Sequence, residues 1–455
     1  MSTLIITLLI SPLLLISTKE AYSQEIGWTR QFGTSAFVSA WRVAVDTSGS
    51  VYVVGETRGA LPGQSSLGGS DVFVRKYDGS GSELWTRQFG TFFDDFIFGV
   101  VVDAYGSVYV AGETLGALPG QSSLGGGDAF VRKYNDSGNE VWTRQFGSST
   151  YDYAEGVAVD ASGNVYVAGE TLGALPGQSS SGGQDVFVRK YDGSGSELWT
   201  RQFGTSALVS VWRVAVDSSG NIYVAGETKG ALPGQISSGG WDVFIRKYDG
   251  SGSEFWTRQF GTYDNDYAPG MAVDASGNVY AAGYTGGALP GQSSPGGGDA
   301  FVRKYDGSGS ELWTRQFGSF DYDYAEGVAF DASGNIYVAG LTSGALPEQS
   351  SLGGGDAFVR KYDDSGSELW TKQFGSSDYD KAYDVAVDTS NNVYVVGQTY
   401  GALPGQTSSG GVDAFLVKFV QPTTADGIAL IAPWIILATL IAIAAASVAV
   451  YWRKR

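Results

Sequence analysis

Residues 43–90 read VAVDTSGSVYVVGETRGALPGQSSLGGSDVFVRKYDGSGSELWTRQFG and carry four strand signals. VAVD (43–46) is short, apolar and β-branched, and SVYVVGET (50–57) has the β-branched and aromatic content of a strand. Between them Asp46-Thr47-Ser48-Gly49 is a tight turn of the kind Asp and Gly favour. DVFVRKYD (71–78) and ELWTRQFG (83–90) form a second hairpin around Gly79-Ser80-Gly81-Ser82. The first two strands are the most apolar, as suits positions near an axis where both faces are covered. The fourth alternates large and polar residues (Trp85, Thr86, Arg87, Gln88, Phe89) and suits an outer edge.

Working outward, the unit repeats. Tryptophan recurs at 28, 85, 142, 199, 256, 313 and 370, always 57 residues apart. Asp46 and Asp71 each head a series with the same spacing, and no copy has an insertion or deletion. Seven four-stranded meanders of this period predict an all-β fold, a seven-bladed β-propeller. The repeat region opens on a fourth strand, WTRQFG (28–33), and closes on a third, DAFLVKF (413–419). Pairing 28–33 beside 413–419 completes the last blade and leaves no open sheet edge at the seam.

The combined string DASGNVYVAGET…DAFVRKYD…ELWTRQFG resembles the SBBP β-propeller repeat of prokaryotic surface proteins, over all seven copies. The resemblance implies a seven-bladed propeller on an exported protein and implies little about activity.

Composition narrows the chemistry. The 455 residues include 67 glycines but no cysteine and no histidine, at a formal charge of −18. Disulfides, thiolate nucleophiles, imidazole bases and His- or Cys-bound metals are thereby removed. The charge argues against nucleic acid as a partner. Twenty of the 29 basic residues occupy three repeated strand positions, those of Arg75, Lys76 and Arg87, so they belong to the repeat and form no patch.

Both ends read as targeting segments. LIITLLISPLLLI (4–16), followed by Ala21-Tyr22-Ser23, predicts a signal peptide over 1–23. The uncharged stretch 428–451, followed by Arg453, Lys454 and Arg455, predicts a transmembrane helix with a cytoplasmic tail over 452–455. A removable sorting signal has the same layout. The expected order is signal peptide, propeller (24–420), short linker (421–427), anchor and tail. The chain is thus expected at the cell surface, with the bottom of the propeller toward the membrane and its long loops (such as 58–70) facing outward.

Positions identical in all copies serve the repeat, so a site is sought where copies disagree. The D-x-S-G-N turns are open to a calcium reading, but recurrence favours an Asx-type turn. GALPGQ lacks the GK[ST] element of a phosphate loop. Trp85 and its equivalents, with Asp78 and Gly81, partly match quinone-dependent dehydrogenase repeats, and blade packing explains them as well.

The copies diverge in the connections between blades, from TSAFVSAWR (34–42) to SSDYDKAYD (376–384). Aspartate stands at 95, 152, 266, 323 and 380, whereas blades one and four have Val38 and Val209 there. Trp41, Phe98, Tyr153, Trp212, Tyr267, Tyr324 and Tyr383 form a candidate ligand-binding rim on the top face. Rings stack on sugar faces and carboxylates accept from hydroxyls, so an extracellular glycan or protein is the expected partner. Asp264, Asp266, Asp321 and Asp323 are weak calcium candidates, and no other cofactor is implied. The alternative is that these aspartates cap turns while the rings pack between blades.

Three functions fit: a non-enzymatic binding, adhesion or display module; a structural envelope protein; and a glycan-cleaving enzyme with paired carboxylates. For the last, Glu155, Glu326, Asp264, Asp321 and Asp378 are the unequal acids. The first is preferred, because an enzyme site should make one loop unlike all others and none carries an insertion.

Overall fold

The computed structural model describes residues 25–421. Residues 28–418 form one compact unit, and the described part of the second unit is confined to 25–27 and 419–421. The expected signal peptide, anchor and basic tail lie outside the described residues. Among the described residues no helix is long and apolar enough to cross a membrane.

Among the described residues twenty-eight strands make seven four-stranded sheets. Blade 1 runs outward from Val38–Val45 through Val51–Thr57 and Asp71–Tyr77 to Glu83–Phe89. Blades 2 to 6 repeat it, with innermost strands Asp95–Val102, Asp152–Val159, Val209–Val216, Asp266–Val273 and Asp323–Phe330. Blade 7 runs from Asp380–Val387 through Val393–Thr399 to Asp413–Val420, and its outer strand is Glu25–Phe32 from the other end of the chain. The expected closure is therefore found. Gln31 Nε2 donates to Asp413 Oδ2 at 2.8 Å across the seam, as Gln88 Nε2 does to Asp71 Oδ2 at 2.9 Å inside blade 1.

The core lies between blades. Val51–Thr57 and Asp71–Tyr77 are buried throughout, whereas Glu83 and Leu84 of the outer strand are exposed. Tyr52 and Phe73 are fully buried, and burying each ring stabilises by roughly 2 kcal/mol. Phe89 meets Phe130 of the next blade edge-on at 5.8 Å, and Arg132 lies over the Phe89 ring at 3.9 Å. Trp85 Nε1 donates to Asp136 O at 3.0 Å, and Arg87 Nε to Gly138 O at 2.7 Å. A Cβ on Gly138 (φ +75°) would sit 2.8 Å from the Trp85 ring, so that turn needs glycine. The repeated tryptophans and arginines thus clamp each blade to the turn of the next.

The short turns are closed by their own side chains. Asp46 Oδ1 accepts from the Ser48 and Ser50 N–H groups at 2.8 and 2.9 Å, and Tyr52 Oη donates to Oδ2 at 2.9 Å. In GALPGQ, Leu61 is buried and its N–H donates to Gln88 Oε1 at 3.0 Å, which ties the long loop to the outer strand.

One expectation changes. The segment 34–42 is not a nine-residue connection, because its second half is strand from Val38 onward. Val38 pairs with Thr57 and Ser39 with Glu56, and the register shifts between Ala40 and Arg42. The bulge leaves Trp41 as an extra residue on the innermost strand. The same shift recurs in the other blades, and in blade 5 it widens to Tyr267/Gly270 around Pro269, which has no N–H to donate.

Candidate binding site at the mouth of the central channel

The innermost strands follow one another around the ring, the last returning to the first. Their first residue is spent on structure. Asp266 Oδ2 accepts from Thr262 N at 2.6 Å and Asp323 Oδ2 from Ser319 N at 2.6 Å, and both aspartates are buried. Asp264, Asp321 and Asp378 lie exposed on the loops before these strands. Among the described residues no group of three or more Asp or Glu is placed to hold a metal ion.

The divergent residues come next. The seven candidate aromatics stand at the second residue of the strand (Tyr153, Tyr267, Tyr324) or at the bulge (Trp41, Phe98, Trp212, Tyr383). They belong to the innermost strands and line two cavities at the channel mouth. Six of them, with Glu155, Glu326 and Lys381, surround a cavity of about 380 Å³. Tyr153 joins Trp41 and Phe98 around the second, of about 390 Å³, with Phe96, Glu56, Glu113, Glu155 and Glu170.

Below the aromatics the channel is bridged. Arg213 of blade 4 reaches Asp384 of blade 7 at 2.9 Å, a contact between opposite sides of the ring. Arg213 Nε also donates to Pro269 O at 2.8 Å, and Asp384 Oδ2 accepts from Val43 N at 3.1 Å. The position that holds Arg42, Arg213 and Asp384 is glycine in the other four blades. At Gly327 a Cβ would come within 2.9 Å of the Asp384 carboxylate, so small neighbours give these long side chains room. Burial, with Arg213 close by, draws the Arg42 guanidinium down to about 10.

Sequence reasoning missed a second divergent position. The sixth residue of the second strand is Glu56, Glu113, Glu170 and Glu227 in blades 1 to 4, but Tyr284, Leu341 and Gln398 in blades 5 to 7. The signal was legible as GET against GYT, GLT and GQT, yet four identical copies pass for repeat. Each of these residues pairs with the second residue of the innermost strand, as Glu170 does with Tyr153. That pairing brings Glu56, Glu113 and Glu170 to the second cavity, while Glu227 accepts from Trp212 Nε1. Burial pushes Glu56 and Glu227 up to about 8, and Glu113 and Glu170 up to about 7. Burial, then the Glu170 charge, raises Glu155 well above the carboxylate range.

The SBBP family, a β-propeller repeat, matches residues 84–119, 141–176, 198–233, 256–290, 312–347 and 369–404. The chain belongs to the SBBP β-propeller repeat family. Among curated relatives, this SBBP propeller is 28% identical over 350 residues to the regulatory protein FlaEY of Caulobacter vibrioides, covering 72% of this chain and 33% of that protein. It is 21% identical over 444 residues to a WD repeat-containing protein of Acanthamoeba polyphaga mimivirus, covering 75% of this chain and 32% of that one. The chain therefore spans about a third of the length of the curated relatives it matches. Of solved structures, the Neurospora crassa Pan2 WD40 domain aligns at a TM-score of 0.50 and 9% identity, over 88% of this chain and 96% of that one. The polysaccharide lyase Uly1 aligns at 0.50 and 11%, over 86% and 90%. At these identities the SBBP propeller shares a fold with both, and a fold hosts many functions.

Proposed function

We propose that this SBBP propeller is a non-enzymatic binding module that takes its ligand at the mouth of the central channel. One observation carries the reading: where the inner strands of the seven copies differ, their side chains converge on two cavities. A purely structural ring needs no such divergence, since identical inner strands would close it equally well. The ligand is a glycan or protein outside the cell, held by a propeller anchored through its C-terminal segment with the channel mouth outward. Support for export comes from the apolar segments at both ends.

The test is a screen of the full-length chain in detergent against glycans, amines and peptides, repeated with Trp41→Ala and Trp212→Ala. Loss of binding in these variants is expected, and binding that survives both would move the site elsewhere. Protease access on intact cells confined to the short turns would reverse the proposed orientation.

A second reading, a carboxylate-based glycan-active enzyme, draws on Glu155, whose raised pKa suits a general acid. Released reducing ends that vanish in Glu155→Gln would favour it.

A further inference from the structure

We propose that the cavity between blades 1, 2 and 3 binds an alkylammonium group, the head of a lysine side chain or of a small aliphatic amine. The inference rests on the binding reading above and names the ligand chemistry of that site.

The fold already houses one such group. Lys381 Nζ lies 2.7 Å from Glu326 Oε1 and 4.7 Å from the centre of the Tyr383 ring, with the Tyr324 ring at 6.0 Å. A carboxylate and two ring faces thus hold the protein's own ammonium in the first cavity, by charge and by cation–π attraction. The second cavity repeats the parts without the cation. Phe96 and Phe98 stack at 6.3 Å on its wall with Trp41 and Tyr153, four glutamates face it, and among the described residues no lysine or arginine lines it.

An unpartnered group points into this cavity. Glu155 is only 9% exposed, and its Oε2 has no hydrogen-bond partner among the described residues. Arg42 lies near it and acts on it through charge, but lines only the other cavity. Glu170, by contrast, is occupied: its Oε1 accepts from Val211 N at 3.0 Å, and Gln184 Nε2 donates to Oε2. A buried carboxyl with an empty acceptor is costly, and a cation bound beside it would offset that cost. The charged neighbours that act on Glu113 are all carboxylates, Asp95, Asp128 and Asp152, and they push it the same way as burial.

The shape of the site selects the cation. Its carboxyls come from separate strands, and they do not converge as ligands of one metal ion. A primary ammonium has three donors for separate acceptors and an alkyl stem for the rings. The acidic positions end at blade 4, because Tyr284, Leu341 and Gln398 replace them, so the field is one-sided.

The experiment is calorimetry on the full-length chain in detergent. The probes are 1,5-diaminopentane, a lysine-containing peptide, the same peptide acetylated at Nε, and calcium. Binding of the diamine or the unmodified peptide, with proton release at pH 7, is the expected result, and acetylation should abolish it. Peptide alone identifies a protein partner, diamine alone a free amine, and either supports the inference. Glu155→Gln should weaken binding at least about tenfold, while Glu83→Gln on an outer strand leaves it unchanged. Phe98→Leu, which keeps an apolar side chain, should weaken it several-fold and covers the case of a misfolded Glu155 variant. Equal binding of the acetylated peptide overturns the assignment, as does calcium binding lost in Glu155→Gln with no amine bound. If a neutral glycan binds instead and Trp41→Ala abolishes it, the ammonium inference falls and the binding reading stands. If no probe or glycan binds, both fall.

Discussion

The short turns and the channel mouth are built from the same seven copies, yet they treat their carboxylates in opposite ways. At Asp160, burial alone would raise the pKa. Bonds from Asn164, Tyr166 and Ser162 outweigh it and hold the group below its ordinary value. At Glu56, burial wins, and the Ile97 N–H and Arg58 only reduce the rise. The turn supplies every acceptor with a donor from within six residues, so it can be copied unchanged. At the mouth Glu155 Oε2 has no hydrogen-bond partner among the described residues, and the inner strands around it differ from copy to copy. Local bonding closes the turns, and an unmet acceptor in a divergent wall marks the surface where something else fits.

The comparison can be broken most forcefully on the axis. Arg213→Ala or Asp384→Ala should each cost about 3–5 kcal/mol in chemical denaturation, because each leaves the other charge buried and unpaired. The double variant Arg213→Met, Asp384→Leu should recover most of that loss. Equal losses in single and double variants would show that the cross-ring pair is not a unit.

The next effect is on pH dependence. Glu56 and Glu227 have folded pKa values raised from 4.5 to about 8, so between these limits the folded state binds more protons than the unfolded chain. Their contribution is complete below the unfolded value and is lost as pH rises through the folded one. Melting temperature should fall from pH 5 to pH 8, with a limiting slope of about 1.4 kcal/mol per pH unit for each of the two groups, and Glu56→Gln with Glu227→Gln should flatten it. The turn aspartates act with the opposite sign. Their lowered pKa values give stability above the unfolded value that is lost as the medium becomes more acidic. A slope unchanged by both Gln substitutions would place the titrating groups elsewhere.

A smaller cost, about 2 kcal/mol, is expected for Trp85→Ala, and Trp142→Ala should match it, since both rings clamp the following turn. Neither should alter ligand binding, whereas Trp41→Ala should alter binding more than stability. The smallest effect, about 1 kcal/mol, belongs to Asp160→Ala, which removes one self-contained turn. If it also weakens ligand binding, the separation of scaffold from mouth fails.

Much of the fold was legible because its determinants are local. Asp46 to Gly49 closes a hairpin by itself, and the 57-residue period of Trp85 and its equivalents counts the blades. The spare fourth strand at 28–33 told where the ring closes. The candidate aromatics were picked out by divergence alone and were expected on loops, whereas they stand on the innermost strands. A one-residue bulge at Trp41 carries the strand up to the mouth, and nothing in the local string announces it.

The sequence alone therefore determined the blade, its number, its turns and the seam, since each follows from contacts within one repeat or between neighbours. Only the tertiary structure decided which unlike residues of the seven copies meet. Arg213 and Asp384 are 171 positions apart on opposite blades, and Glu56, Glu113, Glu155 and Glu170 come from three. They become neighbours when the ring closes on its axis, a distance relation that no repeat contains.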